Sequence, residues 1–450
     1  MNNPSQIRMT LTPEEIRARV AAAGVVGSGG AGFPTHVKLQ AQAEIYLVNA
    51  AECEPLLQVD QQLAAQSAAR LLRGLQYAMC ATGATEGIVA IKRKYHAAIE
   101  ALTPLLPTGI RLHILPDVYP AGDEVITIWL ATGRRVPPAS LPLSVGVVVN
   151  NVQTLLNVAA AVETQTAVTQ RTLTINGAVA EPITLTLPLG TSLREALALA
   201  GGATVANPAF INGGPMMGRL LASLDEPITK TTGGLLVLPS DHLLIERRMR
   251  SERTVLNQAK TVCEQCGMCT ELCPRHLIGH ELPPHLIVRS VSYGHIASLS
   301  SVTAALTCSE CGVCEAWSCP VEISPMRINQ LLKAELRANG VRYQGELGPV
   351  SPMAEYRLLP VKRLVARLGL SPFMHKAPMQ ETAWQPEQVE LMLNQHIGAP
   401  ASPCVEIGQR VVQGECIAQM QDGALGAALH ASISGVVSQV GSRSITLVRE

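Results

Sequence analysis

Eight of the twelve cysteines in this 450-residue chain fall in two short runs. The first is Cys263-x2-Cys266-x2-Cys269-x3-Cys273-Pro274, and the second is Cys308-x2-Cys311-x2-Cys314-x4-Cys319-Pro320. Thiolates are the natural ligands of iron in sulfide clusters. Three cysteines at two-residue gaps wrap one face of a [4Fe–4S] cubane, and a fourth arrives from elsewhere. Such clusters pass electrons singly. Other uses of cysteine fit this pattern less well. Disulfides need an oxidising compartment. Zinc sites usually place two CxxC pairs well apart. No CxxCH is present for attached haem. Cys53, Cys80, Cys404 and Cys416 are scattered and read as small buried hydrophobes.

The first run has the spacing of bacterial ferredoxins, and the second differs by one inserted residue. In two-cluster ferredoxins the fourth cysteine of each run ligates the other cluster. That resemblance implies one cluster on Cys263, Cys266, Cys269 and Cys319, and another on Cys308, Cys311, Cys314 and Cys273. The extra residue before Cys319 is expected to lengthen a loop and to loosen or re-tune its cluster.

A second constellation lies near the start. Four glycines fall between positions 27 and 32, and Lys38 follows. So dense a run lets backbone amides approach a ligand and form an anion-binding nest. Ile45 to Val48 reads as a buried strand running into Asn49-Ala-Ala-Glu-Cys-Glu-Pro55. Polar groups at a strand's C-terminal end are where open α/β sheets bind ligands. A nucleotide or flavin site and a merely flexible turn are the two readings.

The elements that must position these groups alternate along the chain. Thr12, Pro13 and Glu15 open a capped helix whose Ile16, Val20 and Ala23 share one face. Strands are expected at 87–91, 110–115 and 145–149, with a helix at 95–102. Tyr119 to Glu124 is a polar turn opening an apolar run. Asn150 and Asn151 end the last strand, with Thr154 just inside the next helix. This alternation indicates a mostly parallel sheet. From Arg171 a small α+β module follows, with strands at 172–177 and 183–187. Its helix is capped by Ser192 with Glu195 and stopped by Gly201-Gly202. The cysteine region has helical connections and a helix at 323–336. There His276, His280 and His285 read as solvated loop residues rather than metal ligands. The tail is all-β. The domain reading is 1–165, 170–245, 246–345, a linker at 346–384, and 385–450.

Composition bounds the rest. Apolar residues make up 47% and charged residues 16%, which suffices for several cores. Zero net charge argues against nucleic acid as a partner. No apolar stretch approaches the roughly 18 residues of a membrane helix. Met1 to Met9 is polar and lacks a signal core. The reading is a cytoplasmic protein without membrane insertion.

Gly27 to Thr35 with Lys38 resembles the flavin loop of the NADH-binding 51 kDa subunit of respiratory complex I. The resemblance continues at Asn49 to Pro55, at Tyr119 to Glu124, and at Asn150-Asn151 with Thr154. It implies FMN held by Gly27, Gly29, Lys38, Asn49, Glu52, Asp123, Glu124, Asn150, Asn151 and Thr154. It also implies NADH met by Phe33 at the ring and Glu54 at the ribose. Two positions depart from the family. Ser28 replaces an arginine and Ala51 replaces an aspartate. The 170–245 module resembles a β-grasp SLBB domain. The tail resembles the barrel-sandwich hybrid of lipoyl and biotin carriers, without a lysine near Ser434-Gly435.

Together the four modules resemble the RnfC family. The C-terminal place of the sandwich resembles the cobalamin reductases of bacterial propanediol-utilization systems. The fold implied is an α/β flavin domain, an SLBB β-grasp module, a helical two-cluster ferredoxin-type domain and a C-terminal barrel-sandwich domain. The function implied is electron transfer from NADH through FMN and two [4Fe–4S] clusters to cobalamin. Implied partners are a cob(I)alamin adenosyltransferase and the shell proteins of a microcompartment. One alternative is a peripheral electron-input subunit of an Rnf-type membrane ion pump. The other is a docking protein whose clusters only brace the fold.

Overall fold

The computed structural model describes residues 11–294 and 298–450. The polar start read at Met1 to Met9 lies outside the described residues. The capped helix is Pro13–Ala22, with both bonds of the Thr12–Glu15 capping box formed. Its Ile16 and Val20 are buried inward.

A four-stranded parallel sheet carries the first part of the chain. Its order is Ile110–Leu115, Glu86–Lys92, Ile45–Ala50, Val147–Asn151. Side chains alternate between faces along a strand, and the cores follow that period. Tyr46, Val48 and Ala50 pack with the helices Pro13–Ala22, Ala68–Thr82 and Val152–Thr164. Ile45, Leu47 and Ala51 pack with the helix Glu124–Thr132. Gly74 sets the spacing of two of these helices: a Cβ there would stand 2.1 Å from Leu155 O. The chain builds outward from Ile45–Ala50, then returns to its other side. The switch point therefore lies between Ile45–Ala50 and Val147–Asn151, where such sheets bind ligands.

The next module is a six-stranded sheet. The hairpin Gln170–Gly177 and Ile183–Pro188 is antiparallel, and Gly234–Pro239 runs parallel to Gln170–Gly177. The helix Leu193–Leu199 covers it with Leu193, Ala196 and Leu197. The cysteine region is helical, with Glu252–Val262, Pro284–Tyr293 and Pro325–Ala338 as its longer helices. Two small antiparallel sheets form the tail. Lys230 joins three modules, since its Nζ donates to Gly24 O at 2.7 Å and to Ala428 O at 2.8 Å.

Three expectations are corrected. The segment 346–384 is not a bare linker. Leu359–Pro360 pairs with Val118–Tyr119, and Met379–Gln380 adds an edge to Ile183–Pro188. Between them the helix Val361–Arg367 buries Val361, Leu364 and Val365 against Tyr119, Leu236 and Val313. The apolar residues recur at helical spacing, and the prolines bracket that helix rather than break it. The scattered cysteines are not uniformly buried: Cys404 is exposed, and Cys53, Cys80 and Cys416 are half-buried. Finally, His280 is not solvated. It is 1% exposed, and its Nε2 lies 2.9 Å from Val136 O.

Candidate functional site

The register of the parallel sheet sets Asn49 beside Asn151 and Val48 beside Asn150. The strand ends therefore lie side by side, with Asn49 and Asn151 on one face and Asn150 on the other. The glycine loop closes over them, with Gly27 N donating to Phe33 O at 2.8 Å and Ser28 N to Thr154 Oγ1 at 2.9 Å. A Cβ on Gly29 would lie 3.6 Å from Asn151 Cβ, so the loop rests on the second strand end. Lys38 Nζ donates to Val149 O at 2.6 Å and pairs with Glu124 at 3.2 Å. Asn49 Nδ2 donates to Gly122 O at 2.8 Å. Asn150 Nδ2 meets Tyr46 OH at 2.7 Å.

Two carboxylates sit under this loop. Asn151 Nδ2 donates to Asp60 Oδ2 at 2.6 Å, and Asp60 N donates to Glu52 Oε2 at 3.2 Å. Burial pushes Asp60 up to about 6, against the opposing pull of Arg171 and Asn151. Burial, then the neighbouring Asp60 charge, raise Glu52 well above the carboxylate range. The sheet edge thus gathers Gly27, Gly29, Lys38, Asn49, Glu52, Glu124, Asn150, Asn151 and Thr154.

Three expected residues are used differently. Asp123 caps the helix Glu124–Thr132, accepting from Val125 N and Ile126 N at 3.1 Å. It also accepts Arg275 Nη2 on both oxygens, at 3.0 and 2.9 Å. Glu54 accepts Met216 N and Met217 N, both at 2.8 Å, so its carboxylate is held by the turn of the β-grasp module. Phe33 is half-buried, and its carbonyl closes the glycine loop. Sequence reasoning missed Tyr46, Asp60, Arg171 and Arg275. Asp60 sat inside an unremarkable helix, and the two arginines arrive from other modules, so only a tertiary contact reveals them.

The two cysteine runs exchange their last members. A cavity is lined by Cys263, Cys266, Cys269 and Cys319, with His285 and Pro320 on its wall. Burial, then Cys319, Cys263 and Cys266, push Cys269 up to about 12. Burial, then Cys308 and Cys311, raise Cys314, with Cys273 also adding to the shift. Among the described residues, no three His, Cys, Asp or Glu side chains are gathered tightly enough to chelate one ion. Four thiols ringing one cavity suit a polynuclear cluster.

The extra residue before Cys319 does not make a loose loop. Cys314–Ser318 forms a π-helical turn, and Ser318 Oγ donates to Val313 O at 3.1 Å. One added residue widens a helical turn in this way. Cys319 still reaches the first cavity.

The second run is pinned to the short strand Val118–Tyr119. Tyr119 OH donates to Cys311 O at 2.6 Å, and both residues are buried. The Arg275–Asp123 pair is only 14% and 12% exposed and sits two residues from Cys273. Four polar groups thus clasp Cys311 of the second run and, through Arg275, Cys273 of the first run to the turn Tyr119 to Glu124.

Residues 20–160 match the family model of the Nuo51 FMN-binding domain, and residues 172–220 that of the SLBB domain. Residues 262–324 match a 4Fe-4S dicluster domain, and residues 368–450 the RnfC barrel sandwich hybrid domain. The order of modules is the one expected. The chain is 67% identical over 445 residues to the cobalamin reductase PduS of Salmonella typhimurium strain LT2, covering 99% of both chains. It is 67% identical over 436 residues to the cobalamin reductase PduS of Citrobacter freundii, covering 97% of both. A component of the ion-translocating oxidoreductase complex of Rhodobacter capsulatus is 36% identical over 279 residues. That match covers 60% of this chain and 51% of the component.

Proposed function

This chain belongs to the PduS cobalamin reductase family, and on that premise we propose that it carries electrons from NADH, through FMN and two [4Fe–4S] clusters, to cobalamin. When bound, the flavin accepts a hydride and the clusters store electrons one at a time, which matches a two-electron donor to a one-electron acceptor. The residues at the sheet edge fit the flavin. They offer the glycine-loop amides and the N-terminus of the helix Val152–Thr164. The two sets of four thiols fit the clusters, in the crossed arrangement of Cys319 with the first run and Cys273 with the second.

One observation carries the order of the path. Tyr119 on Cys311 and Asp123 on Arg275, next to Cys273, hold the set Cys308, Cys311, Cys314 and Cys273 against the flavin-side turn. That set is the inner one. The Cys263–Cys269 run is the outer one, with Cys266 exposed. Electrons therefore leave toward cobalamin from the outer set. The exposed Val262, Met268 and Val321 around it give an apolar rim for a passing acceptor.

No helix of the described residues is long and apolar enough to cross a membrane. The finer placement in the cytoplasm, inside a microcompartment with an adenosyltransferase and shell proteins, rests on family membership alone. Anaerobic protein reconstituted with FMN, iron and sulfide should bleach on NADH addition and then convert hydroxocobalamin to its reduced forms by absorbance. Bleaching without cobalamin reduction would remove the acceptor from the proposal. Failure to retain any flavin would remove the path itself.

A further inference from the structure

Arg171 is a buried charge that the electron path leaves without a task. It lies on the strand Gln170–Gly177 of the β-grasp module and is 5% exposed. Its Nε donates to Thr232 O at 2.6 Å, and its Nη2 donates to Ser28 O at 2.8 Å. Its Nη1 is buried and has no acceptor among the described residues. Leaving such a donor unmet in the interior is costly, the more so on a charged group. Asp60 and Glu52 attract the guanidinium but do not bond it. Asp60 takes the Asn151 amide, and Glu52 takes the Asp60 N–H.

The surroundings show what the free donor awaits. The Ser28 peptide is gripped at both ends, its N–H by Thr154 and its carbonyl by Arg171. Gly29, the next residue, rests on Asn151. Asn151 caps the 13-residue helix Val152–Thr164. A glycine nest and a helix N-terminus together make an anion site. Arginine is the side chain whose planar fork matches phosphate. Lys38, the cation that the sequence offers for this task, is already held by Glu124 and the Val149 carbonyl.

The geometry points to Arg171 as the phosphate-reading residue of the flavin pocket, reaching it from the β-grasp module. Its Nη2 fixes the glycine loop while its free Nη1 donates to an anionic oxygen of a phosphomonoester. This deepens the flavin reading above and rests on it. It also gives the β-grasp module a direct part in cofactor selection, for FMN over the unphosphorylated flavin.

The test is flavin fluorescence quenching on the full chain with its clusters assembled, using FMN and riboflavin as paired probes. Wild type, Arg171→Met and Arg171→Lys are compared, with cluster absorbance as the check of folding. Arg171→Met should weaken FMN about 10- to 100-fold more than it weakens riboflavin, the size of one charge-assisted hydrogen bond, because both flavins lose the loop brace and only FMN loses the phosphate contact. Arg171→Lys keeps the charge without the fork and should fall between. Equal losses for both flavins would make Arg171 a loop brace only and overturn the inference. So would an unchanged FMN-to-riboflavin ratio in either variant. If Arg171→Met fails to fold, the ratio in Arg171→Lys decides alone. Wild type that binds neither flavin would instead overturn the flavin reading of the pocket, and this inference with it.

Discussion

The two cysteine runs are near-copies in sequence and opposites in setting. Cys311 and Cys314 are buried, and Cys311 belongs to a core shared with Tyr119, Leu236 and the helix Val361–Arg367. Cys266 is exposed, and Cys263 and Cys269 are half-buried. The inner run is held by long-range contacts with the flavin-side turn and the 346–384 segment. The outer run is held mainly by its neighbours in the helical region. Spacing therefore fixes the ligand type of a cysteine run, and its surroundings decide how deeply its thiols are buried.

The largest expected effect breaks the exchange between the runs. Cys319→Ala should lower iron and acid-labile sulfide by about half, leaving one cluster. The surviving cluster should be the inner one, identified by its loss in the double variant with Cys308→Ala. A surviving outer cluster would mean that each run keeps its own fourth cysteine.

Metal removal sharpens the contrast next. A chelator added anaerobically should strip iron in two separable phases, the exposed outer set first. A single phase would erase the distinction between inner and outer.

The clasp is probed by Arg275→Met. It leaves Asp123 buried without its partner and should destabilise the protein by about 3 kcal/mol in chemical denaturation. It should also slow the passage of electrons from flavin to clusters in stopped-flow traces. Tyr119→Phe removes the donor to a buried carbonyl and should cost about 1–2 kcal/mol, with iron lost from the inner set first. The smallest effect belongs to Ser318→Ala. Losing one bond of the π-turn should cost about 0.5–1 kcal/mol and leave the iron content unchanged. Loss of the outer cluster on that change would show that the turn, and not Cys319 alone, holds the ligand in reach.

Much of this was legible beforehand because it is local. The capping boxes at Thr12 and Ser192, the strands read at 45–48 and 110–115, and the cysteine spacing are written in adjacent residues. The site's glycine loop and asparagines were legible for the same reason. The less legible parts are those where one residue has two possible partners. Asp123 caps its own helix and answers Arg275, and Glu54 answers the 216–217 amides. The helix Val361–Arg367 was hidden by its prolines until its apolar face met Tyr119.

The sequence by itself determined the ligand types, their counts and the order of the modules, since these depend on residue identity and short spacing. Only the tertiary structure decided which thiols lie inside, how one extra residue fits before Cys319, and which buried cation faces the glycine loop. Those depend on desolvation and on contacts between residues more than a hundred positions apart, such as Arg171 with Ser28 and Tyr119 with Cys311.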